Sequence, residues 1–167
     1  MKTPEARNLP QVTLIAAASI HVPETVKALQ YSRRGLHFAE TILFTDQKPK
    51  KLPPDIRWVE IPSMRSIDDY SRFILYEAWR YIKTSHVLVV QWDGYVVNPE
   101  QWKNHFLKYD YIGALWPEYL DFRDAKGRLC RVGNGGASLR SRRLMEFPTT
   151  HSISWEPGEN EDVFLCC

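Results

Sequence analysis

An α/β fold with a mainly parallel central sheet flanked by helices is predicted by three observations. Val87 to Val90 are four apolar residues in a row, the pattern of a strand buried on both faces. Strand and helix signals alternate along the first half of the chain. The apolar run ends in Gln91-Trp92-Asp93-Gly94, and the carboxyl end of a strand in an open α/β sheet is where ligands bind. Asp-Gly is also a common turn dipeptide, so a local turn and a ligand site compete as readings of this stretch alone.

The elements follow in order. Residues 1–11 read as a frayed lead-in, and a domain runs from 12 to 167. Val12 to Ala17 is the first strand. Ala17, Ala18, Ser19 and Ile20 follow it without a glycine, so the Gly-rich dinucleotide fingerprint is absent. Their small side chains would still let a base or ribose approach the backbone. Pro23 suits a first helical position, and Val22, Val26, Leu29 and Leu36 share one helical face. Glu40 to Thr45 is a second strand, and 46–55, rich in proline and lysine, is a surface loop. Arg57 to Ile61 is a third strand. Ser66 to Lys83 is a helix opened by a capping box of Ser66 and Asp69. Its predicted buried stripe is Ile67, Tyr70, Ile74, Ala78, Tyr81 and Ile82.

Beyond the central strand, Pro99 to Leu107 reads as a short helix and Tyr111 to Ala114 as a strand. Residues 118–130 form a polar excursion or hairpin. Gly133, Gly135 and Gly136 fall within four positions and require a sharp bend or a close ligand approach, with a short strand after them. Ser141 to Phe147 is helical. Glu161 and Asp162 open a last helix, where carboxylates suit the positive end of the dipole. That helix stops after a turn and a half, so the chain reads as a fragment of a longer protein.

Composition narrows the function. At 167 residues with 44% hydrophobic and 25% charged content, the chain is an ordinary single globular domain by size and balance. A net charge of +2 gives no case for non-specific nucleic-acid binding. Cys130, Cys166 and Cys167 show neither zinc spacing nor an even disulfide framework, consistent with reduced thiols in a cytoplasmic setting. No stretch is long enough to span a bilayer, and no leader-like segment opens the chain.

Three stretches carry the chemistry: Gln91-Trp92-Asp93-Gly94, Asn134-Gly135-Gly136-Ala137-Ser138-Leu139-Arg140, and Glu161-Asp162-Val163. With Asp110-Tyr111-Ile112-Gly113-Ala114-Leu115-Trp116, their order resembles nucleotide-sugar glycosyltransferases of the GT-A (Rossmann-like) fold. The closest resemblance is to a family of bacterial and fungal glycosyltransferase-like domains long classed as of unknown function. It spans residues 12–165.

The resemblance implies roles residue by residue. Asp93 matches the metal-binding second acid of an Asp-x-Asp motif, for Mn2+ or Mg2+. Gln91 replaces the first acid, leaving one carboxylate for the ion. Ala17, Ser19, Arg72, Gln91, Trp92, Asn134, Gly135 and Gly136 fall on the side of the nucleotide-diphosphate sugar donor. Asp162 matches the catalytic base of inverting galactosyltransferases, and Glu161 a helix-capping or sugar-contacting neighbour. The partners implied are a nucleotide sugar and a glycan or other hydroxyl acceptor. Two rivals stand beside an inverting, metal-assisted transferase: a non-catalytic nucleotide-sugar-binding module with a degenerate metal site, and a nucleotidyltransferase. The second would want a Gly-rich basic loop after the first strand, which Ala16 to Ser19 do not provide.

Overall fold

The computed structural model describes residues 6–124 and 126–167. Among them, six strands form one sheet in the order β3-β2-β1-β4-β6-β5. The strands are β1 Arg7–Ala17, β2 Leu36–Thr45, β3 Arg57–Glu60, β4 His86–Val90, β5 Tyr111–Leu115 and β6 Val132–Ser141. β1 runs parallel to β2 and β4, and β2 to β3; β6 runs antiparallel to both β4 and β5. This is a mainly parallel, GT-A-like α/β sheet flanked by helices. The helices are α1 Val22–Ser32, α2 Ile67–Tyr76, α3 Arg142–Thr150 and α4 Glu161–Cys166.

Two apolar layers hold the sheet. One gathers Leu14, Val26, Leu29, Leu43, Leu88, Val90 and Trp102. The other gathers Ile15, Ile42, Phe44, Phe73, Ile74, Val87, Val89 and Met145. β4 is buried along its whole length, as an unbroken apolar run requires. The capping box at α2 is formed: Ser66 Oγ accepts from the Asp69 N–H, and the Asp69 carboxylate accepts from the Ser66 N–H.

Several local expectations are corrected. β1 begins at Arg7, not Val12, because Arg7 to Leu9 pair with Leu36 to Phe38; residues 1–5 of the expected lead-in lie outside the described residues. Leu36 belongs to β2 rather than to α1, and it is buried there. The helix expected over 66–83 ends as α-helix at Tyr76 and tightens into a 3-10 turn over Ala78–Tyr81, a common way to finish a helix. Ile67, assigned to the buried stripe, is 57% exposed, since it lies at the first turn beside an open cleft. In place of the helix expected over 99–107 there are two separate 3-10 turns, Pro99–Gln101 and Asn104–Lys108. The glycine segment precedes no short strand; it lies inside β6. Trp116 and Trp155, for which the sequence leaves core packing and a sugar-stacking surface equally open, are both core residues, 5% and 6% exposed.

Candidate active site

In the order β3-β2-β1-β4, the chain reverses its direction of winding between β1 and β4, and such a switch point opens a crevice at the strands' carboxyl ends. Ala17 to Ile20 leave β1 there, and Gln91 to Gly94 leave β4. The Gln91 N–H donates to the Gly94 carbonyl (2.8 Å), and the Gly94 N–H to that of Gln91 (3.2 Å). The resulting tight loop projects Trp92 and Asp93. Trp92 stacks on His21 with ring centroids 4.7 Å apart. Both the local turn and the cleft position are therefore real features of Asp93.

Gly94 lets this loop lie directly on β6: a Cβ at Gly94 would sit 2.6 Å from the Gly136 carbonyl oxygen. Gly94→Ala must push the Asp93 loop away from β6. We expect a loss of about 1–3 kcal/mol, the usual cost of overpacking, read as a lower midpoint in thermal melting.

Two clefts meet at Ile67, Tyr70 and Gln91. The first, about 570 Å³, runs from Ala17, Ser19 and Ile20 to Met64, Ser66 and Trp92. Ser19 Oγ accepts from the Met64 N–H at 2.9 Å and ties its two walls. The second, about 440 Å³, is lined by Asp93, Asn134, Gly135, Gly136, Glu161 and Asp162, among others. Gln91 Nε2 donates to Tyr70 Oη at 3.1 Å. Burial first, and then the nearby Glu161 charge, push the Tyr70 phenol above its ordinary range, so Tyr70 stays neutral.

The carboxylates of Glu161 and Asp162 have different fates. Glu161 is 4% exposed and pairs with Arg140, which is wholly buried, at 2.8 Å. Asp162 is half-buried at the cleft wall. Its Oδ2 accepts from the Gly135 N–H at 2.8 Å and its Oδ1 from the Val163 N–H at 2.8 Å. Burial, and next the Glu161 charge, raise the Asp162 carboxyl above the usual aspartate range; the two N–H groups and Arg140 oppose this. A carboxylate held by backbone amides yet made more basic has the character of a general base.

Thus the structure brings Ala17, Ser19, Gln91, Trp92, Asp93, Asn134, Gly135, Gly136, Glu161 and Asp162 to two joined clefts. It does not bring Arg72 there. Arg72 follows Tyr70 by two residues, roughly 200° around a helix of 3.6 residues per turn. It lines a separate groove with Tyr76 and Ser152 and lies 5.9 Å over the Trp155 ring. Sequence reading did not single out Tyr70, which lines both clefts, His21, which stacks on Trp92, or Arg140, which pairs with Glu161 behind the cleft wall. For Arg140 the signal was present: an arginine inside a strand of small and apolar residues must find a partner when buried.

Among the described residues, no three His, Cys, Asp or Glu side chains group so as to hold a metal ion. Asp93 is exposed and stands alone on its loop. That donor set fits a divalent ion that arrives with a diphosphate and draws its other ligands from phosphate oxygens and water.

Residues 55–167 match the family model described as "Protein of unknown function (DUF5672)". The chain belongs to this family. The match starts just before β3 and takes in both the Asp93 loop and α4. No curated protein matches the chain. Among solved structures, it is similar to the mannosyltransferase PcManGT from Pyrobaculum calidifontis, in complex with GDP-Man and Mn2+. The identity is 14%, the TM-score 0.58, and the likeness covers 96% of this chain and 53% of that one. A weaker likeness is to the apo glycosyltransferase GlyE of Streptococcus pneumoniae TIGR4, at 12% identity and TM-score 0.45, over 92% of this chain and 42% of that one. The chain thus spans about half the length of the mannosyltransferase, and what the two share is the fold. No described helix is long and apolar enough to cross a membrane.

Proposed function

We propose that this chain transfers a sugar from a nucleoside-diphosphate donor to a hydroxyl acceptor, of which a glycan is the leading class, with inversion at the anomeric carbon. The observation that carries this is the position of Asp162: a carboxylate made more basic, fixed by the Gly135 N–H, in a cleft that also holds Asp93. Asp162 takes the acceptor's hydroxyl proton. The acceptor oxygen bonds to the anomeric carbon, and the bond from that carbon to the diphosphate oxygen breaks, its electron pair leaving with the nucleoside diphosphate. The cleft of Ala17, Ser19, Gln91 and Trp92 receives the nucleoside; Asn134, Gly135 and Gly136 border the sugar. Asp93 would hold a Mn2+ or Mg2+ ion, which when bound neutralises charge on the departing diphosphate.

This reading is tested by transfer assays on a panel of nucleotide sugars with short oligosaccharide acceptors, with and without Mn2+. The gain of a glycoside linkage of inverted configuration is the expected outcome. The rival, a binding module without turnover, is favoured by Gln91: it supplies no charge to an ion, and its amide is committed to Tyr70. Donor binding with neither transfer nor hydrolysis would establish the rival instead.

A second expectation concerns the ion. Mn2+ alone should leave the melting temperature unchanged, because Asp93 offers one exposed carboxylate. Mn2+ with UDP or GDP should raise it, and Asp93→Ala should abolish the Mn2+-dependent part of that rise. An equal rise in Asp93→Ala removes Asp93 from the ion site.

A further inference from the structure

We infer that Arg140 is a positioning residue for Asp162, reaching it by two routes that close into one hydrogen-bonded ring. The inference rests on the reading of Asp162 as the base. In the first route, Arg140 Nη2 donates to Glu161 Oε1 at 2.8 Å, and Glu161 is joined to Asp162 by a peptide bond. In the second, Arg140 Nε donates to Ser138 Oγ at 2.9 Å, and the Ser138 hydroxyl donates to the Gly135 carbonyl at 3.2 Å. The Gly135 N–H then donates to Asp162 Oδ2 at 2.8 Å. One rigid guanidinium fork therefore fixes both the start of α4 and the amide that grips the base.

The local sequence serves this ring. Ser138 and Arg140 stand two apart on β6 and so share a strand face; both are wholly buried. Gly135 has no space for a side chain: a Cβ there would lie 2.7 Å from Arg140 Nη2, 2.8 Å from Glu161 Oε1 and 3.1 Å from Asp162 Cβ. The backbone of β6 thus packs straight onto the ion pair.

Stability alone does not account for the arrangement. Burying two charges costs solvation that their attraction often fails to repay, and apolar residues of like volume frequently do better. Here Arg140 Nη1 is also buried with no hydrogen-bond partner among the described residues, which adds to the cost. What the pair supplies is direction. Lysine would keep the charge but lose the fork that points two ways at once.

The test uses Ser138→Ala and Arg140→Lys in the whole chain. The readouts are solvent exchange of the Gly135 amide by NMR, and kcat and donor KM in the transfer assay. Both variants should expose the Gly135 amide, with exchange at least about tenfold faster. Both should lower kcat by about tenfold or more while donor KM stays within about twofold, since a base displaced by an ångström costs up to roughly 10² in rate. A purely structural role would lower the melting temperature and leave kcat of the folded protein and Gly135 exchange unchanged; that result overturns the inference. Should Arg140→Lys fail to fold, Ser138→Ala decides by itself, since it alters no charge. The two readings separate cleanly: a full-rate Asp162→Asn enzyme removes Asp162 as the base, whereas Gly135 exchange still reports whether Arg140 governs the ring.

Discussion

Replacing Asp162 by Asn is expected to lower transfer by about 10²- to 10⁴-fold, the usual contribution of a positioned base, while donor affinity stays near its wild-type value. Asparagine keeps the size of the side chain, and its one amide oxygen can still accept from the Gly135 N–H, while the Val163 N–H loses its side-chain acceptor; β6 and α4 should therefore remain in register at a small cost in stability. What is lost is the site for the acceptor's proton. The loss should therefore fall on kcat and kcat/KM together, the mark of an interaction made in the transition state. The wild-type pH profile gives a second reading. The Asp162 carboxyl is raised above the ordinary value of 3.8, so the acid limb of kcat/KM should lie above that value and vanish in Asp162→Asn. The sign for stability follows from the same shift. The folded chain binds this proton more tightly than the unfolded chain. The group's contribution to stability thus grows as pH falls through its folded value and is lost as pH rises through it. Loss of donor binding with unchanged turnover would move Asp162 to the donor site.

The largest stability effect should come from breaking the Arg140–Glu161 pair on one side only. Arg140→Met leaves Glu161 charged, 4% exposed and without its partner at 2.8 Å. Stranding one charge of a buried pair costs about 3–5 kcal/mol, or on the order of 10 °C in melting temperature for a chain of this size. Glu161→Leu alone should cost a similar amount by stranding Arg140. The double variant, Arg140→Met with Glu161→Leu, should regain most of the loss, because two apolar side chains can fill the space of the pair. Additive losses in the double variant would mean that the two residues do not act on each other. The recovered double variant should nonetheless transfer slowly, which separates the pair's role in holding the fold from its role in aiming the base.

Much of the frame was legible locally. The apolar run of Val87 to Val90, the capping box at Ser66 and the Asp93-Gly94 turn each depend on neighbours within a few residues, and all three are present. So is the clustering of the Asp93 loop, the glycine segment and α4 around one cleft, which the family resemblance implied. The first strand's early start at Arg7 was not legible, because it depends on pairing with Leu36 to Phe38, some thirty residues away. The exposure of Ile67 and the displacement of Arg72 were missed for a related reason. Helical periodicity placed the covered face correctly, since Tyr70, Ile74, Ala78 and Ile82 are buried, but it does not tell where along that face the packing stops and a cleft opens, nor which groove the opposite face borders.

The sequence by itself determined the α/β class, the buried central strand that ends in Gln91-Trp92-Asp93-Gly94, and which three segments hold the polar groups that line the clefts. Their signals are short-range: alternation, capping and turn propensity act through neighbouring backbone. Only the tertiary structure decided how two adjacent carboxylates divide their work. Glu161 is drawn inward because α4 packs against β6 where Arg140 is buried, and a buried charge must meet its opposite. Asp162, about 100° further around the helix, is left at the cleft wall with the Gly135 amide.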